Sequence, residues 1–281
     1  MIIFEVLKAI VLGIIEGITE WLPISSTGHM ILLDEFLKLD VSPEFKELFF
    51  VVIQLGAILA VPVIFFERLN PFGKNKSEED KKNILSLWGK VIVGVIPAGI
   101  IGVVLDDWFD EHFYNFIVVS VALVVYGIGF LFIEKIKVAK KNAYVIESVY
   151  DITYKDAIKI GLFQILSLIP GTSRSGSTIL GGMLIGVNRT ASAEFSFFMA
   201  IPIMLGASLL KILKFAVAGI GATGTEIWLL VIGIIVSFLV SVVVIKFLMD
   251  FVKRHSFSVF GIYRIVLGVL LIIYFIIKTT V

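Results

Sequence analysis

The chain has 281 residues, 58% of them hydrophobic and 17% charged, with a net charge of +1 and a mean hydropathy of +1.03. Soluble domains carry about 25% charged residues, so the long charge-free stretches left here mark an integral membrane protein. The near-neutral balance gives nucleic-acid binding no electrostatic support, and the absence of cysteine excludes disulfides and thiolate chemistry.

In chain order, Met1–Leu39 is an apolar run broken by Pro23 and the polar stretch Ser25–His29. Ala9–Ile15 has the length of a signal-peptide core. Glu5, Lys8, Glu16 and Glu20 crowd it and no small-x-small cleavage site follows, so it reads as mature structure. A helix needs about 20 apolar residues to cross a bilayer. By that measure Leu48–Phe66, Ile84–Leu105 and Phe116–Ile133 are predicted spans. Thr153–Val187 is then broken as the first run was, by Pro170 and Gly171–Thr178. Phe195–Phe215, Ile227–Leu248 and Phe257–Ile277 complete six spans, all read as helices because open sheet edges are not satisfied in lipid.

Each broken run reads as helix, irregular polar tip, helix. Proline and glycine stop the first half, and the Ser/Thr cluster caps the second. Each half is short for a full crossing, so the expectation is a re-entrant hairpin whose irregular backbone lines a polar cavity.

The two halves repeat. Glu20–Gly28 aligns with Ser167–Ser175 at an offset of 147, and Ile53–Leu59 resembles Ile203–Leu209 at an offset of 150. A hairpin returns to its own side and three spans is an odd number, so the second half enters from the opposite face. The predicted fold is therefore an all-α polytopic membrane protein with one integral membrane domain, residues 1–281. It comprises two inverted repeats, 1–133 and 153–281, each a re-entrant hairpin (1–39 and 153–187) followed by three transmembrane helices.

Loop charge sets an expected orientation. Arg68, Lys74, Lys76, Lys81 and Lys82 crowd one loop, and Lys135, Lys137, Lys140, Lys141 and Lys155 another. The intervening Asp106–Asn115 loop has only acids: Asp106, Asp107, Asp110 and Glu111. The positive-inside rule makes the first two cytoplasmic and the third external, with both termini external. Lys8, Lys38 and Lys46 run against that bias.

The polar tips carry the candidate chemistry. Glu16 and Glu20 lie one helical turn apart, so both carboxylates project from one face. Two such acids in an apolar segment repel each other and are costly to desolvate; a divalent cation or a proton between them relieves both problems. In Ser25-Ser26-Thr27-Gly28-His29, Gly28 allows a turn and the next helix start offers N–H groups to an anion. A hydroxyl three residues before a histidine also reads as a nucleophile and base pair, or more simply as an N-cap with a hydrogen-bonded His29. In Gly171-Thr-Ser-Arg-Ser-Gly-Ser-Thr178, one permanent cation sits among small donors. An arginine there binds phosphate bidentately or pairs with a glutamate of the first hairpin. No Walker ending is present. A phosphate held between the tips would meet carboxylates and metal on one side and arginine on the other.

Other residues rank lower. Gln54 reads as a site-facing or a helix-packing residue. The acidic loop reads as a solvated face, His112 and His255 as loop-edge residues, and Trp21, Trp88, Trp108 and Trp228 as interfacial.

The stretch Glu16-Gly-Ile-Thr-Glu20-Trp-Leu-Pro-Ile-Ser-Ser-Thr-Gly-His29 resembles the first signature of the undecaprenyl-diphosphate phosphatase, or bacitracin-resistance, family. Pro170–Thr178 resembles its second. Both motifs occur intact and in order, and the hydropathy along the whole chain is similar to the family's. The resemblance implies a bacterial inner-membrane enzyme, with its site toward the external side, that hydrolyses undecaprenyl diphosphate to the monophosphate and so recycles the carrier lipid for cell-wall synthesis. It implies a polyprenyl diphosphate lipid as substrate, the bilayer as partner, and a divalent cation, Mg2+ or Ca2+, as cofactor. Carried over by motif position, Glu20, Ser26, His29 and Arg174 are the catalytic candidates and Glu16 and Glu20 the metal ligands. Ser25, Thr27, Gly171, Ser173, Arg174, Gly176 and Thr178 are the substrate-binding candidates. Whether Ser26 attacks phosphorus or a water does is left open, and so is a homodimer. The rival reading is a transporter or flippase of a lipid-linked or small polar anion, because broken helices and inverted repeats are shared with that class.

Overall fold

The computed structural model describes residues 2–73, 76–113, 115–139, 144–219 and 221–280. Of the loop charges above, Lys74, Lys140 and Lys141 lie outside these residues, as do the side chains of Asp106, Asp107, Asp110 and Lys137.

The described chain is helical apart from its connections and one isolated parallel bridge, Ile146 to Val187. The helices are α1 (Ile2–Thr19), α2 (Ser26–Phe36), α3 (Pro43–Ile64), α4 (Phe66–Leu69), α5 (Glu78–Phe113) and α6 (Phe116–Ala139). They continue with α7 (Tyr154–Ile165), α8 (Arg174–Leu184), α9 (Arg189–Val217), α10 (Gly224–Arg254) and α11 (Ser258–Thr280). A 3₁₀ turn, Leu166–Leu168, follows α7.

Local chemistry explains the starts. Ser42 caps α3, with Pro43 in its first turn, and Asn188 caps α9. Thr153 with Asp156, and Thr223 with Glu226, form capping boxes at the heads of α7 and α10.

Six helices, α3, α5, α6, α9, α10 and α11, are long and apolar enough to cross a membrane, and they match the six predicted spans. Their outer faces carry apolar stripes at helical spacing: Ile92, Ile96 and Ile100 on α5, Val121 and Val125 on α6, Ile235, Leu239 and Val243 on α10 are all exposed. The inside is instead where the acids, His29 and Arg264 are buried. Such a polarity suits a hydrocarbon solvent and not water.

Both broken runs fold as helix, break, helix: α1 and α2 about Pro23, α7 and α8 about Pro170. One expectation fails. The acidic segment after Leu105 is not a loop, because α5 continues through it to Phe113. Its charges do not interrupt a helix that is already propagating, since the low helix propensity of Asp is a weak preference that context overrides.

Packing between the halves is exchanged. Helix α1 packs on α10, and α7 packs on α5; α3 lies against α9 and α10, and α9 also lies on α5; α6 pairs with α11. Two close approaches make this work. A Cβ on Gly13 would fall 2.9 Å from the Gly233 carbonyl of α10, and one on Gly161 only 2.0 Å from the Gly94 carbonyl of α5. Only glycine lets these backbones meet, the usual basis of helix association in lipid. Gly13 and Gly161 are 148 positions apart. The result places the two hairpin tips against each other between the spans.

Candidate active site

The first tip begins where α1 ends. The Glu20 N–H still reaches the Glu16 carbonyl at 3.0 Å, so the helical turn that puts both carboxylates on one face is kept. Glu16 is fully buried and Glu20 is 6% exposed. Pro23 then ends the turn, and Ser25 starts α2 as its N-cap, its Oγ accepting from the Gly28 N–H at 3.2 Å. The second tip is built alike. Ser173 caps α8, its Oγ accepting from the Gly176 N–H at 3.1 Å.

Both caps are unusual in the same way. Ser25 and Ser173 each have φ 75°, and they are the only non-glycine residues with positive φ among the described residues. An L-residue held there costs about 1–3 kcal/mol and persists only where its surroundings over-determine it. These caps are 148 positions apart, one more than the sequence alignment gave. The correction pairs Ser26 with Arg174, Gly28 with Gly176 and Glu16 with Gln164, where sequence similarity alone had set Thr27 against Arg174.

Across the tips, Arg174 reaches Glu20. Its Nη2 and Nε donate to Glu20 Oε1 at 3.0 and 3.3 Å. The far side of the same guanidinium donates from Nη1 to the Ser196 carbonyl of α9 at 2.6 Å and to Ser196 Oγ at 3.2 Å. It lies 5.8 Å from the centre of the Trp21 ring. The other carboxylate oxygen, Glu20 Oε2, accepts from Ser26 Oγ at 2.9 Å. Ser175 Oγ donates to the Glu20 carbonyl at 3.0 Å, and Thr178 Oγ1 lies 2.7 Å from Ser196 Oγ. Glu20, Ser26, Ser175, Arg174, Thr178 and Ser196 therefore form one buried hydrogen-bonded network joining both tips.

His29 stands outside that network. Its Nδ1 lies 2.7 Å from the Ser25 carbonyl, which only accepts, so Nδ1 carries the proton. Nε2 lies 2.7 Å from the Tyr263 hydroxyl and accepts from it in the neutral ring, and the two rings are parallel within 4°. The expected pairing of Ser26 with His29 is thus not made: Ser26 turns to Glu20 and His29 to α11. One turn of helix separates their backbones, but the strained cap at Ser25 directs the ring toward its own carbonyl.

One further expectation changes, that for Trp21. Trp21 is fully buried, edge-on to Phe197 at 5.1 Å, and not interfacial; Trp88 is partly buried and donates to the Leu69 carbonyl at 2.9 Å, while Trp108 and Trp228 are exposed. Gln54 is half-buried in α3. His112 and His255 are exposed and face carbonyls of their own helices.

The sequence reading missed three residues, Ser196, Tyr263 and Arg264. Arg264 is completely buried. Its Nη1 donates to the Pro23 carbonyl at 3.0 Å, and its Nη2 to the carbonyls of Gly171 and Thr172 at 2.8 and 2.9 Å. It stacks 5.4 Å from the Tyr126 ring. A lone arginine in the span Phe257–Ile277 was the available signal, since a charge at that depth is costly and reports a task.

The metal expectation can be set against the donor set. Both carboxylate oxygens of Glu16 are buried without a hydrogen-bond partner. An orphaned hard-oxygen donor beside a second carboxylate fits Mg2+ or Ca2+. Among the described residues no three His, Cys, Asp or Glu side chains gather as a complete ligand set. The remaining ligands would therefore come from water and from phosphate oxygens, as is common for Mg2+.

The family model described as bacitracin resistance protein BacA matches residues 9–270. The chain is 55% identical over 274 residues to a protein of Enterococcus faecalis named undecaprenyl-diphosphatase, covering 98% of this chain and 99% of that one. It is 53% identical to a protein of that name from Desulfitobacterium hafniense, covering 99% of both chains. It is 56% identical to undecaprenyl-diphosphatase 1 of Clostridioides difficile, covering 97% of both.

Proposed function

This chain belongs to the bacitracin resistance protein BacA family, and on that premise we propose that it is a multi-pass membrane phosphatase that hydrolyses undecaprenyl diphosphate to undecaprenyl phosphate and inorganic phosphate. The observation that carries the reading is the Glu20–Arg174 ion pair across the two tips, with Ser26 on the free oxygen of Glu20. In this reading Ser26 is the nucleophile, Glu20 the base and Arg174 the phosphate-binding cation, and the three share one hydrogen-bonded network.

In the proposed mechanism the diphosphate head enters between the tips while the prenyl tail stays in lipid. A phosphate competes with Glu20 for the fork of Arg174, because both offer paired oxygens to it. Ser173, Thr178, Ser25 and Thr27, with Gly171 and Gly176 keeping the tip backbone close, line the surface that receives it. Release from Arg174 leaves the Glu20 carboxylate free to take the Ser26 proton. Ser26 Oγ then forms a bond to the terminal phosphorus as the anhydride P–O bond breaks, and undecaprenyl phosphate departs. Water hydrolyses the phosphoserine in a second step. In the alternative, Glu20 activates water directly and no covalent intermediate forms. The Ser26–Glu20 bond favours the first route. His29, fixed between Ser25 and Tyr263, holds the start of α2. Glu16 and Glu20 would hold the divalent cation, which supplies neutralising charge to the diphosphate when bound.

We read the architecture as two inverted repeats with re-entrant hairpins. The 148-residue spacing of Gly13 and Gly161, of Ser25 and Ser173, and of Glu16 and Gln164 supports this. The exchanged packing of α1 on α10 and α7 on α5 supports it too. Loop charge favours a site open to the external face. The test is release of phosphate from a prenyl diphosphate by purified protein in detergent. No release with metal present, together with substrate movement in vesicles, would instead identify a transporter.

A further inference from the structure

Three side-chain groups lie outside the network described: the Arg264 guanidinium, the Glu134–Arg189 pair, and the cavity between Arg68, Glu194, Lys246 and Lys253. Arg264 touches the site most directly. It is a permanent cation, completely buried, and its hydrogen bonds go to backbone carbonyls and not to a carboxylate. The carbonyls reached by its Nη groups belong to both tips, while Nε reaches the Leu123 carbonyl of α6 at 3.5 Å. Pro23 lies two residues before the strained cap Ser25, and Thr172 lies immediately before the strained cap Ser173.

The consequence is geometric. A trans peptide points its N–H opposite to its carbonyl. With the Thr172 carbonyl drawn to Arg264, the Ser173 N–H is turned the other way, so the peptide that leads into the strained cap is held in one orientation. A guanidinium holds its five donors in one rigid plane, so bonds to Pro23 on one side and to Gly171 and Thr172 on the other set a fixed spacing between the tips. That spacing is what lets Arg174 reach Glu20. The room is tight: a Cβ on Gly176, the third residue of α8, would come 3.1 Å from Arg264 Nη1. The neighbouring Tyr263 holds His29, so one turn of α11 grips the first tip twice.

Resting on the phosphatase reading above, we propose that Arg264 is a positioning residue for this reaction, acting through the tip backbones to hold Glu20 and Ser26 at the correct distance from Arg174. It does not touch the substrate. Its charge also raises the potential at both tips, where a diphosphate has to sit.

The test uses the absence of native cysteine. Spin labels at Phe36→Cys and Leu166→Cys, both exposed positions on opposite hairpins, report the hairpin separation in the full-length protein in detergent. Arg264→Lys keeps the charge but loses the planar fork. The expected result is a folded, monodisperse protein whose label separation broadens or shifts, with kcat per folded molecule down about a hundredfold and KM little changed. Arg174→Lys in the same background is expected to lose activity with the separation unchanged. An Arg264→Lys protein with wild-type separation, or with altered separation and full kcat, overturns the proposal. If that variant does not fold, Gly176→Ala, whose Cβ would crowd both Arg264 Nη1 and the Ser173 side chain at 3.1 Å, is read by the label separation alone, and an unchanged separation overturns the proposal. Wild-type labelled protein that releases no phosphate would remove the phosphatase reading instead, while the separation still decides whether Arg264 sets the tips.

Discussion

Ser26 donates its hydroxyl proton to Glu20 across 2.9 Å, and the histidine three residues further on is turned away from both. The base nearest the candidate nucleophile is therefore a carboxylate that also serves as the counter-ion of Arg174. In the proposed mechanism Glu20 joins proton transfer to phosphate binding, because the anion that takes its partner also frees its oxygens.

Glu20→Gln is expected to lower kcat by about 10²- to 10⁴-fold, the range of a general base. His29→Gln is expected to lose less, since glutamine still bonds the Ser25 carbonyl or Tyr263. Steady-state phosphate release compares them. A larger loss in His29→Gln would move the base back to the histidine.

Arg174→Lys places one ammonium where a fork made bonds to Glu20 and Ser196. Losing one or two charge-assisted bonds, each worth about 1.5–3 kcal/mol, is expected to reduce kcat/KM by roughly tenfold or more. Thermal unfolding should move little, because the charge stays. Activity within twofold of wild type in initial-rate assays would count against the phosphate-clamp role.

Glu16 carries two buried carboxylate oxygens without partners. In the presence of a chelator Glu16→Gln should unfold close to the wild-type temperature, because glutamine matches the shape of a buried carboxyl that has shed its charge. Adding Mg2+ should raise the wild-type midpoint and leave the variant nearly unmoved. Equal metal responses in the two proteins would release Glu16 from the metal site.

The strained caps make a separate prediction. Ser173→Ala loses the Oγ bond and keeps the positive φ, so it should destabilise by about 1 kcal/mol or more. Ser173→Gly relieves the strain and should be milder in stability. Denaturant midpoints in mixed micelles order the two; equal midpoints would show that the hydroxyl alone matters, and the reverse order would contradict backbone strain at Ser173.

Away from the site, Glu134 accepts from both Nε and Nη2 of Arg189 and from the Phe257 N–H. Glu134→Ala removes the acceptor of all three bonds and leaves Arg189, which is partly exposed, to be solvated, so it should lower the unfolding midpoint. Rate per folded molecule, measured on the monodisperse fraction, should stay at the wild-type value.

Much of this arrangement is legible in the sequence for a physical reason. Lipid allows few solutions, so a long apolar run such as Phe116–Ile133 reads directly as a span. A run broken by Pro23 or Pro170 reads as two helices about a polar tip. The charges of the tips were equally visible, and the pairing of Arg174 with a first-hairpin glutamate was one of the two readings weighed. What stayed hidden depends on tertiary contact. Ser196, Tyr263 and Arg264 belong to no motif, and they reach the tips only because α9 and α11 pack beside them. The acidic end of α5 misled because charge was taken as a loop signal. The alignment of the two tips slipped by one residue because the similarity of Ser26 to Ser173 outweighed the cap geometry, which backbone dihedrals reveal and residue types do not.

The most direct measurement is phosphate release from undecaprenyl diphosphate by purified protein in detergent, comparing wild type, wild type with chelator, and Glu20→Gln. Steady release by wild type that stops with chelator and with Glu20→Gln is the predicted result. No release by metal-replete wild type, or undiminished release by Glu20→Gln, would contradict a reaction centred on the Glu20–Ser26–Arg174 network.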